Sequence, residues 1–293
     1  MSENPILTAI EQQEWLEPIE KTGSELILNA YESAGEAGQA VKNALHGVWL
    51  GHPVHPAITD VPVGSWTTAA VLDVLDLAGG DQYQAGADAA IMVGLVSAIP
   101  AALSGMTDWT ATHGKTQRMG AMHGILNMGA AALYASSYAA RKADNRGLGR
   151  WLGFAGFALV MASAWLGGEL SYSQKVGVNH APDAEEELPQ EYTAAIAEAD
   201  LMEDQPTKAT VNGTNLLLVK RSGKIHALAG TCSHAGGPLW EGKLEGDSIV
   251  CPWHGSRFCL NDGHVEDGPA TYNQPAFDVK IENGKVMVKA QES

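Results

Sequence analysis

Cys232-Ser233-His234 and, sixteen residues on, Cys251-Pro252-Trp253-His254 are the segments best equipped for chemistry in this chain. Each offers one thiolate and one imidazole, a set suited to a mixed-ligand metal site. A single zinc accepts two Cys and two His, but usually as a Cys pair followed by a His pair. Here the types alternate. That order suits a [2Fe–2S] cluster with two thiolates on one iron and two imidazoles on the other. A zinc or structural Cys/His set is the alternative.

Ala235-Gly236-Gly237-Pro238-Leu239 follows the first segment, and Gly255-Ser256-Arg257-Phe258 the second. With Asp262-Gly263 and Gly268-Pro269-Ala270 beyond them, the stretch from about Leu201 to the C-terminus resembles a Rieske iron–sulfur domain. The resemblance implies that Cys232 and Cys251 ligate one iron and His234 and His254 the other. High-potential respiratory members carry an extra Cys pair bridging the two ligand loops; Gly237 and Trp253 stand at those positions here. They also place a Ser and a Tyr hydroxyl after the second loop. Ser256 matches the first, whereas Phe258 lacks the second. These departures imply a ferredoxin-type member, in the lower or middle part of a range of about −150 to +300 mV.

The elements that must carry these ligands read as short alternating runs after Pro206: 215–220, 224–228, 248–251, 276–281 and 285–288. Ser222-Gly223 and Asn283-Gly284 sit where hairpin turns are needed. The pattern predicts a small antiparallel β domain over 207–293. Ahead of it, residues 179–206 form an acidic linker around Asp183-Ala184-Glu185-Glu186-Glu187, with a short helix about residues 192–199.

Four apolar segments precede the linker, at 61–78, 89–107, 119–140 and 151–168. A membrane span needs about 20 mostly apolar residues, and the last three reach or approach that. All are rich in Ala, Gly and Ser, which lets helices approach closely in a bilayer. A buried soluble bundle is the alternative. The stretch from His52 to Pro62 and the ending Trp165-Leu166-Gly167-Gly168-Glu169-Leu170-Ser171-Tyr172 resemble a family of small bacterial four-helix membrane domains with no established function, over roughly 46–178. Residues 1–45 form a polar, acidic N-terminal segment with one surface helix near Ile10, Trp15 and Ile19. The expected whole is an α+β multidomain chain, a four-helix transmembrane bundle followed by a small antiparallel all-β Rieske domain.

Four spans would put both termini on one face, together with His52, His55 and His123. Ionisable groups in a membrane are costly unless they pair or work. These histidines are therefore candidates for a haem, a metal site or a quinone head group; helix capping in wet headgroups is the alternative. The net charge of −16 argues against nucleic acid as a partner. Three Cys, two of them candidate ligands, leave Cys259 alone and no disulfide framework. The first 25 residues lack the apolar run of a cleavable signal. The chain contains no Arg-Arg pair, which by the resemblance favours a cytoplasmic Rieske domain on a multi-pass membrane protein. The reading is a membrane-anchored Rieske ferredoxin exchanging single electrons with a redox partner protein, a quinone or a haem, an electron carrier rather than a stand-alone enzyme. The alternatives are the electron-input component of an oxygenase or reductase system, and a membrane redox sensor.

Overall fold

The computed structural model describes residues 4–182 and 187–291 and divides into two compact units. The acidic run at 183–186, part of the expected linker, lies outside the described residues.

The first unit comprises residues up to Gly38 and Val54–Val176. It contains α1 (Pro5–Glu11), α2 (Glu17–Ser33), the start of α3 (Gly35–His46), α4 (Val54–Gly79), α5 (Gln84–Trp109), α6 (Gly114–Lys142) and α7 (Arg146–Gly168), the last continued by a π-helical turn over Glu169–Ser173. The expectation of a four-helix transmembrane bundle with one surface helix ahead of it is thus corrected: among the described residues there are seven α-helices, three of them in the segment read as polar. α2 is held by polar contacts that an apolar pattern does not register: Arg118 donates to Glu20 at 2.8 Å, and the Tyr31 and Thr107 hydroxyls lie 2.7 Å apart. Two stretches, containing α5 and α7, are long and apolar enough to cross a membrane. α4 falls short because it carries Asp73 and Asp76, and α6 because His123, Asn127 and many Gly, Ser and Tyr residues make its uncharged interior too weakly apolar.

The interior of this unit is unusual in what it hides. Trp66 of α4 stacks on Tyr134 of α6 at 4.5 Å between ring centres, next to Ile91, Ala130 and Val160. Gly94 is required there, because a Cβ would lie 2.2 Å from the Trp66 indole nitrogen. Asp73 and Asp76 are buried, the first in a fork–fork pair with Arg141 and the second bonded to Arg150 at 3.0 Å. Ser104, Thr107, Ser137 and Ser163 are also buried, while Val71, Leu77, Val93, Val96 and Ile99 are exposed.

The second unit comprises Gln39–Pro53 and the residues from Gly177 on. Among the described residues, ten strands form three antiparallel sheets. β1 (Thr193–Ala197), β10 (Lys285–Ala290) and β9 (Phe277–Glu282) make one; β2 (Thr207–Val211), β3 (Thr214–Arg221) and β4 (Lys224–Ala229) another; β5 (Lys243–Glu245), β6 (Ser248–Val250), β7 (Arg257–Cys259) and β8 (Val265–Asp267) the third. β3 is buried on both faces: Leu216 and Leu218 enter one apolar core, Leu217 and Val219 the other. The second core also holds Cys232, Cys251 and Phe258. Ser222-Gly223 and Asn283-Gly284 have positive φ at both positions, as two-residue hairpin turns demand. The helix expected about residues 192–199 is instead β1, paired with β10; tertiary pairing overrides the helical propensity of its alanines.

Candidate metal centre

Both ligand segments are loops of one backbone design. The Cys232 N–H donates to the Gly237 carbonyl at 2.8 Å, and Gly236 donates back to the Cys232 carbonyl at 2.9 Å. In the second loop, Cys251 donates to Ser256 at 2.8 Å and Gly255 to Cys251 at 3.1 Å. Gly236 and Gly255, each four residues after its Cys, have φ of +77° and +76°, a conformation that L side chains resist. The turns aim backbone N–H groups at sulfur. Cys232 Sγ accepts from His234 and Ala235, and Cys251 Sγ from Trp253 and His254.

The two thiols also face each other. The hydrogen bond between them, followed by burial, pushes the Cys232 thiol well above its ordinary range. The same bond pulls Cys251 down to about 7, helped by its two backbone donors and opposed by burial. The two thiols thus form a buried, hydrogen-bonded pair of sulfur donors. The imidazoles converge separately: His234 Nδ1 and His254 Nδ1 lie 3.2 Å apart, with the rings nearly perpendicular at 85°. Two nitrogens, each about 2.1 Å from one tetrahedral ion, stand about 3.4 Å apart. Both imidazoles are half-buried and both thiols buried.

The four groups do not collapse onto a single point. Among the described residues, the set of three or more such ligand atoms lying within 4.8 Å of one another is Cys259, Asp262 and His264. A mononuclear zinc needs its ligand atoms closer than a separated thiol pair and imidazole pair provide. Two pairs, each fit for one ion, suit a two-iron cluster. Cys259, left alone by the sequence, is buried beside Asp262 and His264.

Residues 191–278 match the Rieske [2Fe-2S] domain family. Over 94 residues the chain is 37% identical to the ferredoxin component of the naphthalene 1,2-dioxygenase system of Pseudomonas putida, a match covering 32% of this chain and 90% of that protein. The C-terminal region belongs to the Rieske family. That membership implies a [2Fe–2S] cluster. Apoptosis-inducing factor 3 of Homo sapiens is 41% identical over 91 residues, 31% of this chain, and the chain spans only 15% of that protein. The ferredoxin of carbazole 1,9a-dioxygenase from Nocardioides aromaticivorans aligns over 34% of this chain and 98% of its own length, at 24% identity and a TM-score of 0.33. Residues 51–180 match a second family, described as a predicted membrane protein, DUF2231.

Within the Rieske domain, Ser256 is fully buried and its Oγ accepts from the Ala270 N–H at 2.9 Å. Phe258 is fully buried in the core that contains both cysteines. Sequence reasoning missed Gln274. Its carbonyl oxygen accepts from the Ser233 N–H at 3.1 Å, and its amide donates to Ala229 and Thr231 at 2.8 and 2.6 Å. A buried Gln satisfied on three sides braces the first loop, and nothing in its sequence surroundings marks it. Gly237 lies against the second loop: a Cβ there would stand 2.9 Å from Cys251 Sγ and 3.2 Å from the Trp253 ring.

The membrane-side histidines separate. His52 is exposed in the second unit, with Nδ1 3.1 Å from the Pro53 carbonyl. His55 and His123 are neighbours inside the helical unit, with ring centres 6.2 Å apart.

Proposed function

We propose that the chain is a membrane-anchored Rieske-type ferredoxin, a carrier of single electrons, with Cys232, Cys251, His234 and His254 as cluster ligands. The observation that carries this is the pairing of donors: two buried thiols facing each other, and two Nδ1 atoms 3.2 Å apart. A [2Fe–2S] cluster held there supplies reversible one-electron chemistry. The residues do the rest. Four backbone N–H groups aimed at the two sulfurs stabilise negative charge and so raise the potential. Burial of both cysteines keeps water from the thiolate side. The half-buried imidazoles mark the side from which electrons exchange. The relative from Pseudomonas putida is the ferredoxin component of a dioxygenase system, which supports a redox protein as partner.

The anchor reading rests on the inverted distribution in the helical unit, with Asp, Arg, Ser and Thr inside and Val, Leu and Ile outside. Water favours the reverse; lipid favours this one. α5 and α7 cross the bilayer in this reading, and α4 and α6 pack beside them.

Ligation is tested by electron paramagnetic resonance of the dithionite-reduced chain. His234→Ala and His254→Ala should each abolish the Rieske signal; an unchanged signal in either removes that residue from the set. Anchoring is tested by alkaline carbonate extraction of membranes. The full chain should stay in the pellet, and its release into the supernatant would defeat the anchor.

A further inference from the structure

The helical unit contains a symmetry that its sequence conceals. Asp73 of α4 faces Arg141 of α6, 68 residues later. Trp66 stacks on Tyr134, and His55 neighbours His123, at that same spacing. α5 and α7 answer with a spacing of 62. The His55 Nδ1–H donates to the Ala101 carbonyl at 2.8 Å, and the His123 Nδ1–H to the Ser163 carbonyl at 2.9 Å. The His55 ring lies on Gly105, four residues beyond Ala101, and the His123 ring on Gly167, four beyond Ser163. Gly94 makes room for Trp66, and its counterpart Gly156 for Tyr134. The hairpin α4–α5 and the hairpin α6–α7 are therefore two copies of one design around an approximate two-fold axis, and three matched pairs meet across it.

Two of those pairs explain themselves. Asp73 with Arg141 is an ion pair, and Trp66 with Tyr134 is a stacked apolar contact. The third sets two imidazoles together, and two imidazoles gain little from each other. Each ring is nevertheless positioned with care. Its Nδ1 is fixed as donor to a backbone carbonyl of the partner helix in its own hairpin. That leaves Nε2 as the lone-pair nitrogen on both rings, the tautomer a metal ligand needs. Each ring also rests on a glycine that any larger residue would push away: a Cβ would lie 2.7 Å from His55 at Gly105 and 3.3 Å from His123 at Gly167. An ion about 2.1 Å from each nitrogen, with nitrogens about 1.1 Å from their ring centres, allows centres up to about 6.4 Å apart. The observed separation is 6.2 Å. The Asn127 amide sits 3.0 Å from His123 Nε2, and an entering ion would displace it.

We propose that His55 and His123, one from each hairpin, are paired imidazole ligands for a single d-block metal centre on this internal two-fold axis. A haem iron and a free ion share that chemistry. The site is separate from the cluster ligands, so its failure would leave the Rieske reading untouched.

The test uses the full chain purified in detergent, with its cluster in place. A haem would show as a sharp Soret band beyond the cluster absorption, lost in His55→Ala and in His123→Ala while the Rieske signal persists. Without a Soret band, Cu²⁺ added to the oxidised protein should bind one ion per chain with a resonance split by two nitrogens. Each single variant should weaken that binding at least tenfold, while His52→Ala leaves it unchanged. Gly105→Ala and Gly167→Ala guard against loss of fold, because they keep both imidazoles and only shift a ring. Gly105→Ala should impair binding more than Gly167→Ala, as the closer approach at Gly105 requires. Absence of both the Soret band and the two-nitrogen copper spectrum would overturn the proposal. So would signals indifferent to the His55, His123 and both glycine substitutions.

Discussion

The β unit hides leucine and shows charge, whereas the helical unit hides charge and shows valine. In the first, β3 sends Leu216 and Leu218 into one core and Leu217 and Val219 into the other, all fully buried. In the second, an Asp–Arg pair and a Trp–Tyr stack are buried and a His–His pair is half-buried, with Val71, Val93 and Val96 outside. Burial of apolar area drives the first arrangement. Close packing and polar pairing hold the second together, an arrangement that the proposed bilayer setting would favour.

Breaking the central pair of the helical unit should have the largest effect. Arg141→Met removes the fork–fork partner of buried Asp73, leaving it Arg150 at 3.8 Å, and should cost up to about 3–5 kcal/mol, seen as a lowered Tm in detergent. Adding Asp73→Leu should recover most of the loss, and failure to do so would mean that the pair does more than compensate charge. In the β unit, Leu218→Ala should cost about 2–5 kcal/mol through cavity formation, and chemical denaturation measures it. A smaller effect should follow Phe258→Tyr. If the added hydroxyl reaches cluster sulfur, the midpoint in film voltammetry rises; a fall in stability with no rise would show it pointing elsewhere. The smallest is a pH effect. Burial, then the nearby Lys224, holds the His226 imidazole below its ordinary range, against the pull of its bond to the Leu260 carbonyl. The folded form therefore binds fewer protons than the unfolded one. This contribution is present above about pH 6.5 and lost as pH falls below it. His226→Gln should flatten the fall in Tm between neutral and mildly acidic pH.

The two Cys/His segments proposed as ligands stand out in the sequence because four residues at fixed spacing mark them locally. β3, β4, β6, β9 and β10 were legible through alternation and through the Ser222-Gly223 and Asn283-Gly284 turns. β5, β7 and β8 are as short as β6 but are broken by charge, at Lys243 and Glu245, at Arg257, and at Glu266 and Asp267. β1 reads as helix because alanine carries no strand signal, and only pairing with β10 decides it. α2 was hidden because ionic and hydroxyl contacts attach it. The duplication of the hairpins was hidden as well. Few residue types repeat, and the spacing slips from 68 in the first helix of each hairpin to 62 in the second, so no single offset aligns both. Gln274 acts through three bonds to residues 41 to 45 positions earlier.

The contact between Gly237 and Trp253 carries a last consequence. At positions where respiratory relatives would place a covalent bridge, an indole ring lies against a bare α-carbon. Such a clasp has no reduction potential of its own. Thiol reductants that would unlock a bridged lid leave this one shut, and oxidants cannot tighten it. At this contact the two loops are held by packing, and thiol–disulfide exchange has no bond here to act on.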